Sequence, residues 1–191
     1  AKYMITHNQN EDDFLVLNAD DPICMKAAED SVAQIRTFSM NQEVEEGAYV
    51  SGDTIYLKEE GESIPFCKVE DVPMPGRHNV ENTLASLTLS RCANISMDSL
   101  RKTLRKFKGV EHRIEFVAKS KEGVHFYNDS KATNVDSLEK ALLSFEQPII
   151  LVAGGRDKQS AYERLNSLVK ERVKGLVLIG ELAILHGKTG E

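Results

Sequence analysis

The stretch Tyr127-Asn128-Asp129-Ser130-Lys131-Ala132-Thr133-Asn134 decides how this chain is read. It follows Gly123-Val124-His125-Phe126-Tyr127, an alternating run that reads as a strand, and precedes Val135 to Phe145, whose pattern predicts a helix. Seven of its eight side chains can hydrogen-bond, and they sit where a strand hands over to a helix. Open α/β sheets bind ligands outside the carboxyl ends of their strands. The N–H groups of a new helix favour anions at the same place. A carboxylate, an ammonium, hydroxyls and amides crowded there make a candidate site. The plainer alternative is a capped helix start with Ser130 or Thr133 as N-cap. One cap explains one residue and leaves the cluster unexplained.

Outward from this stretch the pattern continues in both directions. Downstream, Pro148 opens Ile149-Ile150-Leu151-Val152-Ala153, the apolar run of a parallel strand covered by helices on both faces. Gly154-Gly155 turns the chain, and Ser160 to Lys170 predicts a helix, Leu176 to Ile179 a strand and Glu181 to His186 a helix start. Upstream, Ile114 to Ala118 reads as a strand. Alternating strand and helix after residue 110 predicts a doubly wound α/β unit.

Lys108-Gly109-Val110 reads as a hinge, which divides the chain into 1–109 and 110–191. In the first part, Phe14 to Leu17 is a buried strand, followed by the polar turn Asn18-Ala19-Asp20-Asp21-Pro22 and a helix from Ile23 to Asp30. Ile35 to Ser39 is a second strand. Ala48 to Ser51, Thr54 to Lys58 and Ser63 to Val69 read as an antiparallel meander, with Gly52-Asp53 and Glu60-Gly61 as turns. A helix from about Asn79 to Cys92 turns Leu84, Leu87 and Leu89 to the core. Ser96 caps another helix from Met97 to Phe107.

A net charge of -6 argues against nucleic acid as the main partner, since a phosphate backbone needs a basic face. The local basic run Arg101, Lys102, Arg105, Lys106 and Lys108 fits the wet side of a helix whose apolar side carries Leu100, Leu104 and Phe107. Cys24, Cys67 and Cys92 have no metal-ligand spacing and read as small buried residues of a protein in a reducing cytoplasm. No apolar run approaches the roughly 20 residues of a membrane span.

Three further motifs carry candidate chemistry. Asn79 and Asn82, in Gly76-Arg77-His78-Asn79-Val80-Glu81-Asn82, share one face at a helix start, where two amides can read a purine edge or simply cap the helix. Arg113, in Gly109-Val110-Glu111-His112-Arg113-Ile114-Glu115, presents a fork of donors beside the hinge, suited to phosphate or to a surface ion pair. Lys158 follows Gly154-Gly155 at a strand end, where it can hold a carboxylate or phosphate or form a solvated turn. Asp20-Asp21 reads as a turn ahead of a cation site. Gly187-Lys188-Thr189 imitates a phosphate loop but lacks its spacing. No catalytic triad or metal site can be built from spacing.

In this order the motifs Leu17-Asn18-Ala19-Asp20-Asp21, Gly76 to Asn82, Phe107-Lys108-Gly109 with His112-Arg113, Asn128 to Asn134 and Gly154 to Lys158 resemble the Mur ligase family, over nearly the whole chain. These are ATP-dependent amide-forming enzymes of peptidoglycan synthesis, and so of cell-wall biogenesis, cell shape and division. The resemblance implies an α/β fold: the second half of a central ATPase domain followed by part of a Rossmann-like carboxy-terminal domain. The Asn128 to Asn134 run resembles the branch that joins D-glutamate to UDP-N-acetylmuramoyl-L-alanine through an acyl phosphate. By that resemblance Asn79 and Asn82 lie near adenine, and Arg113 and Asp129 meet ribose and phosphates. Lys131 faces the reacting phosphate, and Thr133 and Lys158 hold a D-glutamate carboxylate. Domain closure brings the set together.

The resemblance also implies a cytoplasmic monomer using ATP and Mg2+. The phosphate loop, a modified lysine and the magnesium ligands would precede Ala1, so the 191 residues alone are expected to be an inactive excerpt. A folylpolyglutamate synthase-like ligase and a non-catalytic nucleotide-binding module are the alternatives.

Overall fold

A computed structural model describes residues 6–155 and 162–180. The chain divides into two compact units, Ala1–Lys108 and Gly109–Glu191. The first unit is built on a five-stranded sheet of order β1-β2-β3-β4-β5, with β1 Phe14–Asn18, β2 Gln34–Ser39, β3 Gly47–Ser51, β4 Thr54–Glu59 and β5 Glu62–Lys68. The strands β1, β2 and β3 run parallel, and β3, β4 and β5 form the expected antiparallel meander. Gly47 opens β3 with φ 132, and a Cβ there would overlap the Thr37 carbonyl oxygen, so the β2–β3 junction requires glycine.

Helix α1, Pro22–Glu29, is capped by Asp21, whose carboxylate accepts from the Ile23 N–H at 2.8 Å. Its neighbour Asp20 accepts from the Ser39 hydroxyl at 2.6 Å and the Met40 N–H at 2.7 Å. Together the two aspartates tie the β1–α1 turn to the end of β2, as a turn reading requires. Helix α2, Arg77–Cys92, packs on the sheet. Val80, Leu84 and Leu87 recur at helical spacing and join Ala48, Ile55, Leu57 and Phe66 in the core. Burial of each of the larger side chains contributes about 1.5–3 kcal/mol. Leu89 departs from expectation at 60% exposed, because it lies about 140° around the helix from Leu84. Helix α3, Met97–Lys106, is capped by Ser96 as expected. Arg101 donates from α3 to the Pro65 carbonyl and stacks over the Phe66 ring, while Leu100 is buried.

The second unit begins with an antiparallel hairpin, β6 Glu115–Lys119 and β7 His125–Asn128. Helix α4, Val135–Leu143, follows, then β8 Ile149–Gly155, a 3₁₀ turn Tyr162–Leu165, α5 Asn166–Arg172 and β9 Val173–Gly180. Only β8 and β9 pair in parallel among the described residues of this unit. The expectation of a strand covered on both faces is corrected there: Ile150 and Val152 are 65% and 61% exposed, while Ile149, Leu151 and Ala153 are half-buried. Helix α4 ends two residues earlier than expected, and its cap is Asn134 in place of Ser130 or Thr133. Lys158, the start of the helix expected from Ser160, the segment Glu181 to His186 and Gly187-Lys188-Thr189 lie outside the described residues.

Candidate functional site

The loop after β7 is a series of nested turns. Asn128 Oδ1 accepts from the Ser130 N–H at 3.1 Å, and the Asp129 carbonyl accepts from the Ala132 N–H at 2.8 Å. Asn134 Oδ1 accepts from the Ser137 N–H at 2.8 Å, satisfying one of the donors that a helix start leaves open. Amides and carbonyls therefore set the loop's shape. The side chains of Lys131 and Thr133 are exposed and have no hydrogen-bond or ion-pair partner among the described residues. An ammonium and a hydroxyl held out from a rigid strand–helix turn can meet a phosphate or a carboxylate.

The turn carrying Arg113 packs against this loop. The Arg113 N–H donates to the Val110 carbonyl at 3.1 Å, closing a tight turn. His112 and Ile114 adopt φ 64 and φ 45, the left-handed region, where a β-branched residue is a marked outlier. Each such residue costs about 1–2 kcal/mol. Four hydrogen bonds hold the shape. The His112 N–H donates to a Glu115 carboxylate oxygen at 2.8 Å, and the His112 carbonyl accepts from the Lys131 N–H at 3.0 Å. Asn128 Nδ2 lies 2.9 Å from His112 Nδ1, and the Ile114 N–H donates to Asp129 Oδ1 at 3.1 Å. At about 1 kcal/mol net each, with burial of the Ile114 side chain adding about 1.5–3 kcal/mol, these contacts outweigh the backbone cost. Two motifs singled out separately in the sequence thus form one cluster. Arg113 is exposed on it, with no side-chain partner among the described residues.

In the first unit the two amides have unequal positions. Asn79 is 1% exposed, and its Nδ2 donates to the Pro75 carbonyl at 2.6 Å. Its Oδ1 faces Asn82 Nδ2 at 3.4 Å. Asn79 therefore fastens the helix start, where Gly76 takes φ 101, and Asn82 is the exposed amide of the pair. Sequence spacing placed both on one face, but burial separates their roles. The sequence reading of Gly154-Gly155 is sharpened in the same way. A Cβ on Gly154 would overlap the Ile179 carbonyl oxygen, so this glycine permits the close approach of β9, whereas Gly155, at φ 126, borders open space.

Sequence reasoning passed over Glu115, Asn128 and His112 as supports. Glu115 and Asn128 face each other at one end of the hairpin ladder, a pairing that becomes visible only with the register. A cavity of about 560 Å³ in the first unit is lined in part by Arg36, Glu46, Glu59 and Arg91, and neither Asn79 nor Asn82 lines it. Its arginines are matched to acids, Arg91 to Glu59 at 2.6 Å and Arg36 to Glu46 at 3.7 Å, which leaves little charge for a ligand. No three His, Cys, Asp or Glu side chains group to hold a metal ion among the described residues. Nor is any helix there long and apolar enough to cross a membrane.

Comparison with known proteins matches residues 1–90 to the Mur ligase middle domain and residues 112–188 to the Mur ligase glutamate ligase domain. The UDP-N-acetylmuramoylalanine–D-glutamate ligase of Caldanaerobacter subterraneus is 43% identical over 188 residues, which is 98% of this chain and 41% of that protein. The enzyme of the same name from Ligilactobacillus salivarius is 38% identical over 100% of this chain and 41% of its own length. The chain thus spans about two-fifths of the curated relatives it matches. Among solved structures, the UDP-N-acetylmuramoylalanyl-D-glutamyl-2,6-diaminopimelate–D-alanyl-D-alanyl ligase of Acinetobacter baumannii superposes with TM-score 0.72 at 20% identity, covering 98% of this chain and 44% of that one. Folylpolyglutamate synthetase from Lactobacillus casei does so with TM-score 0.60 at 14% identity, covering 98% and 50%. At such identities the two structures show a shared fold.

Proposed function

The chain belongs to the Mur ligase family, and on that premise we propose that it is the part of a cytoplasmic, monomeric D-glutamate-adding ligase that contributes contacts to ATP and D-glutamate. The observation that carries this reading is 38–43% identity, running through both units, to relatives named UDP-N-acetylmuramoylalanine–D-glutamate ligase.

In this reading a carboxylate oxygen of UDP-N-acetylmuramoyl-L-alanine attacks the γ-phosphorus of ATP, and ADP leaves. The amine of D-glutamate then attacks the acyl carbon, loses a proton and expels inorganic phosphate. Such chemistry depends on positioning and on neutralising charge. Arg113 supplies a fork of donors to the phosphates, Asp129 meets the ribose, and Lys131 faces the phosphate being transferred. Asn82 reads the adenine edge, and Asn79 serves the same base by fixing the helix start beneath it. Thr133 and Lys158 hold a carboxylate of D-glutamate. Magnesium, which offsets phosphate charge when bound, is expected from the family. The described residues contain no grouping fit for it, and none of them is assigned to it. The 191 residues alone are inactive in this reading.

The test supplies the full-length protein with ATP, D-glutamate and one of two acceptors. Phosphate release that needs both UDP-N-acetylmuramoyl-L-alanine and D-glutamate supports the proposal. Release with a folate acceptor in place of the UDP-sugar favours a folylpolyglutamate synthase-like ligase. Nucleotide binding without release under either condition favours a non-catalytic module.

A further inference from the structure

We infer that Glu115 and Asn128 are positioning residues, which act through the strained Val110–Ile114 turn to set Arg113 and Lys131 in place. The inference rests on the ligase reading for what Arg113 and Lys131 do. It rests on the geometry for how they are held.

The two residues face each other across the hairpin, where β6 begins and β7 ends. From there the chain diverges into the Arg113 turn on one side and the Lys131 loop on the other. Glu115 reaches back three residues to accept the His112 N–H at 2.8 Å. Asn128 works in both directions: its Nδ2 meets His112 Nδ1 at 2.9 Å, and its Oδ1 accepts the Ser130 N–H at 3.1 Å, beside Lys131. The Lys131 N–H closes the ring on the His112 carbonyl at 3.0 Å. His112 is thus gripped through its N–H, its carbonyl and its ring while its backbone is left-handed, and Arg113 is the next residue. A non-glycine residue relaxes from φ 64 when its restraints go. The guanidinium and the ammonium would then lose their common frame. Neither Glu115 nor Asn128 needs to touch a substrate for this to hold.

The experiment uses the full-length protein with Glu115→Ala, Glu115→Gln and Asn128→Ala. Glutamine keeps the acceptor that the His112 N–H needs and removes only the charge. At about 1 kcal/mol each, loss of one such hydrogen bond corresponds to roughly fivefold, and loss of the two made by Asn128 to more. Glu115→Ala and Asn128→Ala are therefore expected to raise KM for ATP about fivefold or more, through Arg113, to lower kcat as well, through Lys131, and to leave KM for D-glutamate within about twofold. Glu115→Gln is expected to keep wild-type values. Amide hydrogen exchange supplies a readout independent of activity, with the His112 and Lys131 amides expected to lose protection together in Glu115→Ala. If Glu115→Ala fails to fold, Asn128→Ala carries the same two readouts. An unchanged KM for ATP in the folded variants overturns the inference. So does a Gln variant as impaired as Ala, or independent exchange at His112 and Lys131. A wild-type protein that releases no phosphate with ATP, acceptor and D-glutamate refutes the ligase reading and the roles of Arg113 and Lys131 with it. The exchange data in that case still report whether the turn is held as described.

Discussion

Replacing Asn79 separates a residue that reads a ligand from one that holds the scaffold. Its side chain is 1% exposed and its amide donates to the Pro75 carbonyl at 2.6 Å. Asn79→Ala removes that donor from the half-buried Pro75 carbonyl and empties a buried site, at a cost of about 1–3 kcal/mol. For a unit of this size each kcal/mol lowers Tm by about 4–8 °C, so a loss of at least about 4 °C is expected. Asn79→Asp goes further. It sets a carboxylate oxygen against the Pro75 carbonyl and buries a charge. Burial raises the carboxyl pKa of the new side chain, and a raised folded-state value gives stability that is present at low pH and lost as pH rises through it. The Asp variant should therefore be the less stable of the two at neutral pH and should recover on acidification, where the protonated acid can donate to Pro75. The assay is urea unfolding followed by circular dichroism, with ATP affinity of the full-length protein in parallel. An Asn79→Ala variant within about 0.5 kcal/mol of wild type, the range of an ordinary surface change, would refute the reasoning. Equal stability of the Ala and Asp variants at neutral pH would do the same.

Other outcomes follow from single observations. Gly154→Ala forces β8 and β9 apart at the Ile179 carbonyl and should destabilise the second unit by about 1–3 kcal/mol or more, read by hydrogen exchange along both strands. Lys131→Ala should lower kcat of the full-length enzyme about 10²-fold or more, while Thr133→Ala and Lys158→Ala should act mainly on KM for D-glutamate; unchanged kinetics in all three would remove the site assignment. The Cys24 thiol and the Ile23 N–H hold the Asp21 carboxyl below its usual range. A depressed folded-state value gives stability present above the unfolded pKa and lost as pH falls through the folded one, so Asp21→Asn should flatten the acid limb of α1 melting. Burial pushes the Cys67 thiol up to about 11, so its alkylation should stay slow until pH approaches that value; rapid modification at pH 8 would contradict it.

The parts of the fold legible in the sequence were those with a local cause. The meander was marked by Gly52-Asp53 and Glu60-Gly61, the α3 cap by Ser96, and part of the core stripe of α2 by Leu84 and Leu87, to which the structure adds Val80. The errors needed tertiary information. Leu89 is as apolar as Leu87 but lies on another face of the helix. Asn134 wins the α4 cap because it directly precedes Val135 in an extended conformation from which its Oδ1 accepts the Ser137 N–H, while Ser130 lies earlier, in the turn held by Asn128. The run Ile149 to Ala153 is uniformly apolar, so its composition cannot say that one face is open. The candidate site shows the same division. Arg113, Asp129, Lys131 and Thr133 stand out as polar side chains near a strand end, and the structure joins their two segments. The supporting residues Glu115 and Asn128 acquire meaning only from a hairpin register that a sequence does not display.

The acyl-phosphate route gives the account its most direct test. UDP-N-acetylmuramoyl-L-alanine labelled with 18O in its carboxylate is incubated with the full-length protein, ATP and D-glutamate, and the phosphate released is examined by mass spectrometry. An acyl-phosphate intermediate requires one labelled oxygen to pass from the carboxylate into inorganic phosphate for each amide formed. Amide formation with unlabelled phosphate would contradict it.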